Sequence, residues 1–336
     1  MMNNEKQIIF YNANSAYFNV HGLPFASKEH PFWRLPDDVF ISQTIEFLKQ
    51  HPSGAYLSFA TASPSIRIKA SVSSKAYMPH MTATGTLGCD LYIRKQNSWV
   101  FLATTKVNEE NYDITIVEGL PSKRREYRLY LPLYIALNHL AIGIEENYTI
   151  EATEPIKPEK IVFYGTSITQ GGCATRPGMN TSSIVGRTVD YEIINLGFSG
   201  SAHLEPEMAT VIAQLKDIKL LILEVEANAG DALVLKDRLE NFVNIISQTQ
   251  SHMKVMLISH YPYALAAYKA AIKARFVDHY HFQKQLCHQK GWEFVDGEVL
   301  LRKLNFEESV DGVHLTDLGF YFLAVALKKR IKNLLG

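Results

Sequence analysis

The chain has 336 residues, too many for one ordinary hydrophobic core, so two domains are the starting expectation. Apolar residues make up 47% and charged residues 20%, a balance that excludes a disordered chain. Lys plus Arg and Asp plus Glu both total 34, and no basic block occurs, so the electrostatic footprint of a nucleic-acid binder is missing.

The opening MMNNEKQIIFYN lacks the basic start and apolar core of a secretion signal. No apolar run is long enough to span a bilayer. The expectation is a cytoplasmic protein with no membrane partner. ISQTIEFLKQ is the helical candidate of the first half. In SIRIKASV, Ile66, Ile68, Ala70 and Val72 then fall on one face at period two, as in a half-buried strand. Similar runs follow at LYIRKQNSWVFL, whose Gln-Asn-Ser break suits a hairpin, and at NYDITIV, REYRLYLPLY and HLAIGI. Short strands between turn residues predict an antiparallel, jelly-roll-like β-sandwich over residues 1–155.

EATEPIKPEK, with two prolines and several charges, marks a boundary near residue 156. Beyond it, strand candidates KIVFYG, EIINLG, KLLILEVE, KVMLISHYP and WEFVDG alternate with helical segments. TSSIVGRTV, PEMATVIAQLK, ALVLKDRLENFVNIISQ and AAYKAAIKARFVDHYHFQKQLCHQK are the helices between them. LTDLGFYFLAVALKKRI is the last, with Leu315, Leu318, Phe322 and Val325 read as its apolar face. Such alternation predicts a parallel sheet covered by helices on both sides, a three-layer unit over 156–336. Cys89, Cys173 and Cys287 are too sparse for a disulfide framework or a zinc site and read as free thiols.

Ligands of an open parallel sheet bind beyond the carboxyl ends of its strands. The segments there are GTSITQGG, GFSGS and EANAG, with DGVH shortly before the last helix. Ser167, where the first strand turns into a helix, is a candidate nucleophile, and a serine hydroxyl needs a base to take its proton. His314 is that candidate, because Asp311 three residues earlier can hold its Nδ1 and leave Nε2 for the serine. Gly197 and Asn228 are candidate donors to an oxyanion, together with the Ser167 amide. Thr166, His203 and His260 are candidate substrate contacts.

Each residue also has a plainer reading. A serine in a glycine loop is usually a turn, but a phosphate cradle fails for want of its Lys-Ser/Thr ending. Asp311 and His314 could cap a helix or ligate a metal; no third ligand lies near them in sequence, so no metal is expected. Cys173 reads as a packing thiol. His279 and His281, two apart on a helix, read as solvated surface.

YGTSITQGG, NLGFSG, the Asn228 cluster and DGVHLTDLGF together resemble the ordered blocks of the SGNH hydrolases, the GDSL-type esterases and lipases. GTSITQGGCATRPGMN and INLGFSGSAHLEPEMA resemble a subgroup whose catalytic domain follows a β-sandwich, and VHGLPF, GCDLY and RLYLPLY are similar to that sandwich. The sequence departs from the family where GTSI replaces GDSL. It departs again where Glu226 stands at the first position of the pattern GxND. The resemblance implies a serine esterase with Ser167 as nucleophile, His314 as base, Asp311 orienting it, and Gly197 and Asn228 in the oxyanion hole. It implies no metal or organic cofactor, and it favours acetyl esters on carbohydrates. Lipase or thioesterase activity on other acyl esters is the alternative, as is a non-catalytic glycan-binding protein. The partner expected is a glycan or small-molecule ester, with the sandwich either shaping the cleft or mediating a homo-oligomer.

Overall fold

A computed structural model describes residues 7–75, 78–230 and 232–336. Residues 1–6 of the opening stretch considered for a leader lie outside the described residues. The first half contains β1 (Ile8–Asn12), β2 (Asn19–His21), helix α1 (Gln43–Leu48), β3 (Tyr56–Thr61), β4 (Ile66–Val72) and helix α2 (Ala83–Leu87). It continues with β5 (Asp90–Lys95), β6 (Ser98–Thr104), β7 (Asn111–Val117), β8 (Arg125–Tyr130), β9 (Leu137–Glu145) and β10 (Ile150–Glu151). These strands form two antiparallel sheets, one ordered β1-β9-β4-β7 and the other β10-β3-β8-β5-β6 with β2 beside β3. The hairpin expected at Gln-Asn-Ser is present: Lys95 pairs with Ser98, and Gln96 turns the chain with a left-handed φ of 53°.

Alternation packs this sandwich. Ile66, Ile68, Ala70 and Val72 of β4 meet Leu57 and Phe59 of β3 and Tyr127 and Leu129 of β8 between the sheets. The other face of the second sheet is also covered. There Tyr56, Ser58, Arg128 and Tyr130 are buried, with Arg128 donating to the Gly186 carbonyl at 3.0 Å. Cover on both faces removes the polar–apolar alternation, which is why β3, buried at every residue, leaves no period-two signal in YLSFAT.

The second half alternates as expected. β11 (Lys160–Gly165), β12 (Glu192–Gly197), β13 (Ile218–Glu224), β14 (Lys254–Ile258) and β15 (Glu293–Val295) form one parallel sheet ordered β12-β11-β13-β14-β15. This is the 2-1-3-4-5 order of flavodoxin-like folds, whose switch point lies between the first and third strands. Among the described residues its helices are α3 (Ser167–Gln170), α4 (Thr181–Gly186), α5 (Pro206–Ala213), α6 (Ala232–Ser247), α7 (Ala270–Lys290), α8 (Gly297–Leu301) and α9 (Asp317–Leu335). Val162 and Tyr164 of β11 face one core with residues of α5, α6 and α7. Ile161 and Phe163 face the other, with residues of α4 and α9. Leu35, Ile45 and Leu48 from the first half join the former core, so the sequence segment 34–49 packs on the parallel sheet rather than inside the sandwich.

The face assigned to the last helix is corrected. Phe320, Leu323, Ala324, Leu327 and Ile331 are buried in α9, whereas Leu318 and Val325 are exposed and Leu315 precedes the helix. FYFLAVAL is apolar around most of its circumference, so period alone fits two stripes, and contact with the sheet selects one. His279 is a second correction: it is buried, with Nδ1 3.4 Å from Glu226 Oε1, rather than solvated.

Candidate active site

The site lies at the carboxyl edge of the parallel sheet, at its switch point. Gly165 ends β11 so close to its surroundings that a Cβ there would lie 2.2 Å from Thr169 Oγ1 and 2.5 Å from the Glu224 carbonyl oxygen. The chain then turns into the single turn of α3. Thr166 caps it, accepting from the Ile168 amide at 3.2 Å, and Ser167 becomes its first residue, its amide making no hydrogen bond among the described residues. Thr166 is not a substrate contact: it is wholly buried, and its hydroxyl donates to Glu224 Oε2 at 2.7 Å.

Glu224, the last residue of β13, anchors this turn from below. Its Oε2 also accepts from Thr169 Oγ1 at 2.9 Å and from the amides of Thr166 and Thr169, each at 3.3 Å. Burial pushes this carboxyl up to about 7, against the pull of those donors.

The partners of Ser167 come from the loop before α9. Ser309 and Leu315 pair as an isolated bridge, and Gly312 turns between them with φ 91°. This tight loop presents Asp311 and His314 together. Ser167 Oγ lies 2.9 Å from His314 Nε2, and His314 Nδ1 lies 2.7 Å from Asp311 Oδ2. Asp311 Oδ1 accepts the amides of Val313 and His314 at 2.9 and 2.8 Å. Partial burial acts to raise the Asp311 carboxyl, but the His314 amide and imidazole and the Val313 amide outweigh it and hold it at about 2. A permanent carboxylate at Nδ1 keeps the Nδ1–H tautomer and leaves Nε2 to accept the serine proton.

Gly197 requires a correction. Its amide donates to Asn195 Oδ1 at 2.9 Å and is not free for an oxyanion. It is glycine because α3 packs against it: a Cβ would lie 2.1 Å from the Gln170 nitrogen. The turn that follows contains Gly200, at φ 68° with open space where a Cβ would lie, and among the described residues its amide makes no hydrogen bond. Two glycines three residues apart look alike in sequence; only the bond to Asn195 tells which amide is already used.

Asn228 stands at the end of the short 3-10 turn Glu226–Asn228. Its Oδ1 accepts the Ala202 amide at 3.3 Å, which turns the carboxamide toward the Gly200 turn and leaves Nδ2 without a partner among the described residues. The departure at Glu226 has a structural reason. Its buried carboxylate takes the His260 amide at 2.8 Å, His260 Nδ1 at 3.0 Å and Gln283 Nε2 at 2.6 Å, fixing the start of that turn. Burial opposes the charge, yet these donors and His279 hold Glu226 at about 2.

Neither histidine candidate joins the triad-like chain. His260 has both ring nitrogens taken, by Glu226 and by Glu298 at 3.3 Å, and stacks on Phe276 beside a cavity of about 500 Å³. His203 is half-exposed and faces Glu205 at 3.4 Å. No contact connects either to Ser167 among the described residues.

Several supporting residues escaped the sequence reading. Arg34, fully buried, donates to the carbonyls of Gly197, Asn195 and Leu48 at 2.6, 3.2 and 2.8 Å; burial lowers its guanidinium to about 9. Tyr134 donates to the Ser167 carbonyl at 3.1 Å. Asn195 Nδ2 donates to the Thr169 carbonyl and Ser182 Oγ, both at 2.8 Å. In GCDLY, buried Asp90 accepts from Arg176 at 2.7 Å and the Gly178 amide at 2.9 Å, while Tyr92 accepts from Arg176 at 2.7 Å. These bonds tie the sandwich to the loop after the serine. No local pattern could show them, because most partners lie tens of residues or more apart in sequence.

A flavodoxin-like sheet with a serine, histidine and aspartate in line at its edge is the arrangement of SGNH-type hydrolases, here preceded by an antiparallel sandwich. The chain belongs to the GDSL-like lipase and acylhydrolase family, whose model matches residues 158–332. Residues 8–150 match the GxDLY N-terminal domain of SGNH-hydrolase-type esterases. The protein is thus a hydrolase acting on esters. A Bacteroides ovatus structure described as a GDSL-like lipase shares 28% identity, with 98% of each chain covered and a TM-score of 0.90. A salicylyl-acyltransferase from a tetracycline biosynthetic pathway is similar at 19% identity, 97% of each chain and TM-score 0.75. A family two carbohydrate esterase from Cellvibrio japonicus is similar at 11%, 98% of each chain and 0.63. No curated protein matches the sequence. Among the described residues, no helix is long and apolar enough to cross a membrane.

Proposed function

We propose that the protein is a serine esterase that removes small acyl groups, acetyl first among them, from carbohydrate esters. The observation that carries this reading is the unbroken line from Ser167 Oγ through His314 to Asp311, at 2.9 and 2.7 Å. In the reaction Ser167 attacks the ester carbonyl while His314 Nε2 takes its proton. The oxyanion is held by the free amides of Ser167 and Gly200 and by Asn228 Nδ2. His314 then protonates the leaving alcohol and activates water against the acyl-enzyme. The structural likeness to carbohydrate esterases supports the substrate class. The sandwich, in this reading, braces the catalytic loops, with the two units dividing near residue 156.

The test is an activity panel of acetylated sugars beside short- and long-chain acyl esters. Acetylated sugars should be turned over fastest, and Ser167→Ala should lower the rate by roughly 10⁴–10⁶-fold. A variant that hydrolyses esters normally would refute the nucleophile, and a preference for long acyl chains would refute the substrate class.

A further inference from the structure

Three soft ligands converge beside the proposed base, and the esterase reading uses only one of them. A ring nitrogen of His80, Cys173 Sγ and a ring nitrogen of His314 lie within 4.8 Å of one another. The two imidazole rings are 5.6 Å apart, centroid to centroid. His314 Nδ1 is committed to Asp311, so Nε2, the atom facing Ser167, is the one available. We propose that His80, Cys173 and His314 form an inhibitory site for a zinc-like divalent cation, which caps the base and reversibly switches the hydrolase off.

The donor set fits that class of ion. Zinc binds imidazole nitrogen at about 2.0–2.1 Å and thiolate sulfur at about 2.3 Å in tetrahedral geometry. Ligand atoms around such an ion are roughly 3.3–3.8 Å apart, so a movement of about 1 Å closes the site. His80 can supply it, being exposed while Cys173 is buried and His314 partly so. Hard ions such as magnesium and calcium prefer oxygen and are not expected here.

The backbone holds the donors together. Cys173 has a left-handed φ of 72°, a conformation that costs a non-glycine residue about 1–3 kcal/mol and gathers at functional sites. The segment carrying His80 is tied to the same loop, since Thr82 Oγ1 donates to the Thr175 carbonyl at 2.6 Å. Helix α2 lies so close that a Cβ on Gly85 would be 2.2 Å from the Ala174 carbonyl oxygen.

Without metal the thiol stays protonated, because burial, with the Asp311 charge adding to it, pushes Cys173 up to about 12. It is therefore no rival nucleophile to Ser167. On binding, the thiol releases its proton to solvent and sulfur donates its pair to the ion. His314 Nε2 exchanges the hydrogen bond from Ser167 for a metal bond and can no longer accept the serine proton. The fourth position stays open to Ser167 Oγ or water.

The inhibitory effect rests on the esterase reading, so the experiment has two arms. In the first, zinc is titrated into the active protein: it should inhibit, and a chelator should restore the rate. His80→Ala and Cys173→Ser should retain basal activity while raising the inhibitory concentration roughly 10–100-fold or more, since loss of even an outer partner costs that much affinity. In the second arm cobalt replaces zinc, and a thiolate-to-cobalt charge-transfer band should appear in wild type and in Ser167→Ala but not in Cys173→Ser. No inhibition of wild type, unchanged inhibition in either variant, or cobalt binding without the band would overturn the site. If the esterase reading alone fails, the band persists while Ser167→Ala keeps its activity.

Discussion

Glu224→Gln tests whether a buried carboxyl lies under the Ser167 turn. In the folded protein this group is pushed up to about 7 from an ordinary 4.5, chiefly by burial. Below pH 4.5 both folded and unfolded chains hold the proton, and burial of the neutral acid costs little. Between 4.5 and about 7 the unfolded chain has released the proton and the folded chain has not, so stability falls as pH rises. The gap, at about 1.4 kcal/mol per pH unit, corresponds to about 3 kcal/mol lost across that window. Glutamine has nearly the same shape, retains an acceptor for Thr166 and Thr169, and does not titrate. Urea unfolding of both proteins at pH 4.5 and pH 8, followed by circular dichroism, isolates the effect as a double difference. Wild type should lose about 3 kcal/mol relative to the variant, a midpoint shift of roughly 1 M urea at a slope near the upper end for small proteins. A wild-type-minus-variant difference equal at both pH values would show that Glu224 titrates ordinarily and that its burial has been misjudged.

Asn228→Ala should lower kcat by roughly 10²–10³-fold, the usual cost of one oxyanion donor, while thermal unfolding barely moves; an unchanged kcat would remove Asn228 from the hole. Gly197→Ala and Gly200→Ala should separate the two glycines by stability. The first drives a Cβ to 2.1 Å from the Gln170 nitrogen and should cost about 3 kcal/mol or more. The second meets open space at φ 68° and should cost about 1 kcal/mol. Equal melting temperatures for the two variants would contradict the packing described.

What the sequence displays well is what the backbone repeats or holds close. The five parallel strands are legible because each is a short apolar run followed by a helical period. Asp311 and His314 are legible because they stand three positions apart in one loop. Ser167 is legible because it follows the first of those strands. β3 is hidden because both its faces are covered, and the face of α9 is ambiguous because FYFLAVAL offers more apolar positions than the sheet can cover. Glu224 looks like any strand-end acid, since nothing in KLLILEVE announces the two threonines 55 and 58 residues earlier. Arg34 looks like any surface arginine for the same reason, its carbonyl partners on β12 lying 161 and 163 residues away.

The bonds from Arg34, Tyr134 and Asp90 into the serine, Gly197 and Arg176 segments change how the chain can be cut. The connecting stretch 152–159 has no buried residue and lies outside the strands on either side. A protease cut there severs a tether but none of these bonds, so the two fragments should remain one particle and keep the Ser167, Gly197 and Arg176 segments in register. Separately expressed halves, by contrast, would each bare a buried guanidinium, phenol or carboxylate binding surface. The chain is therefore suited to reconstitution from paired fragments and poorly suited to exchanging its second half onto an unrelated sandwich.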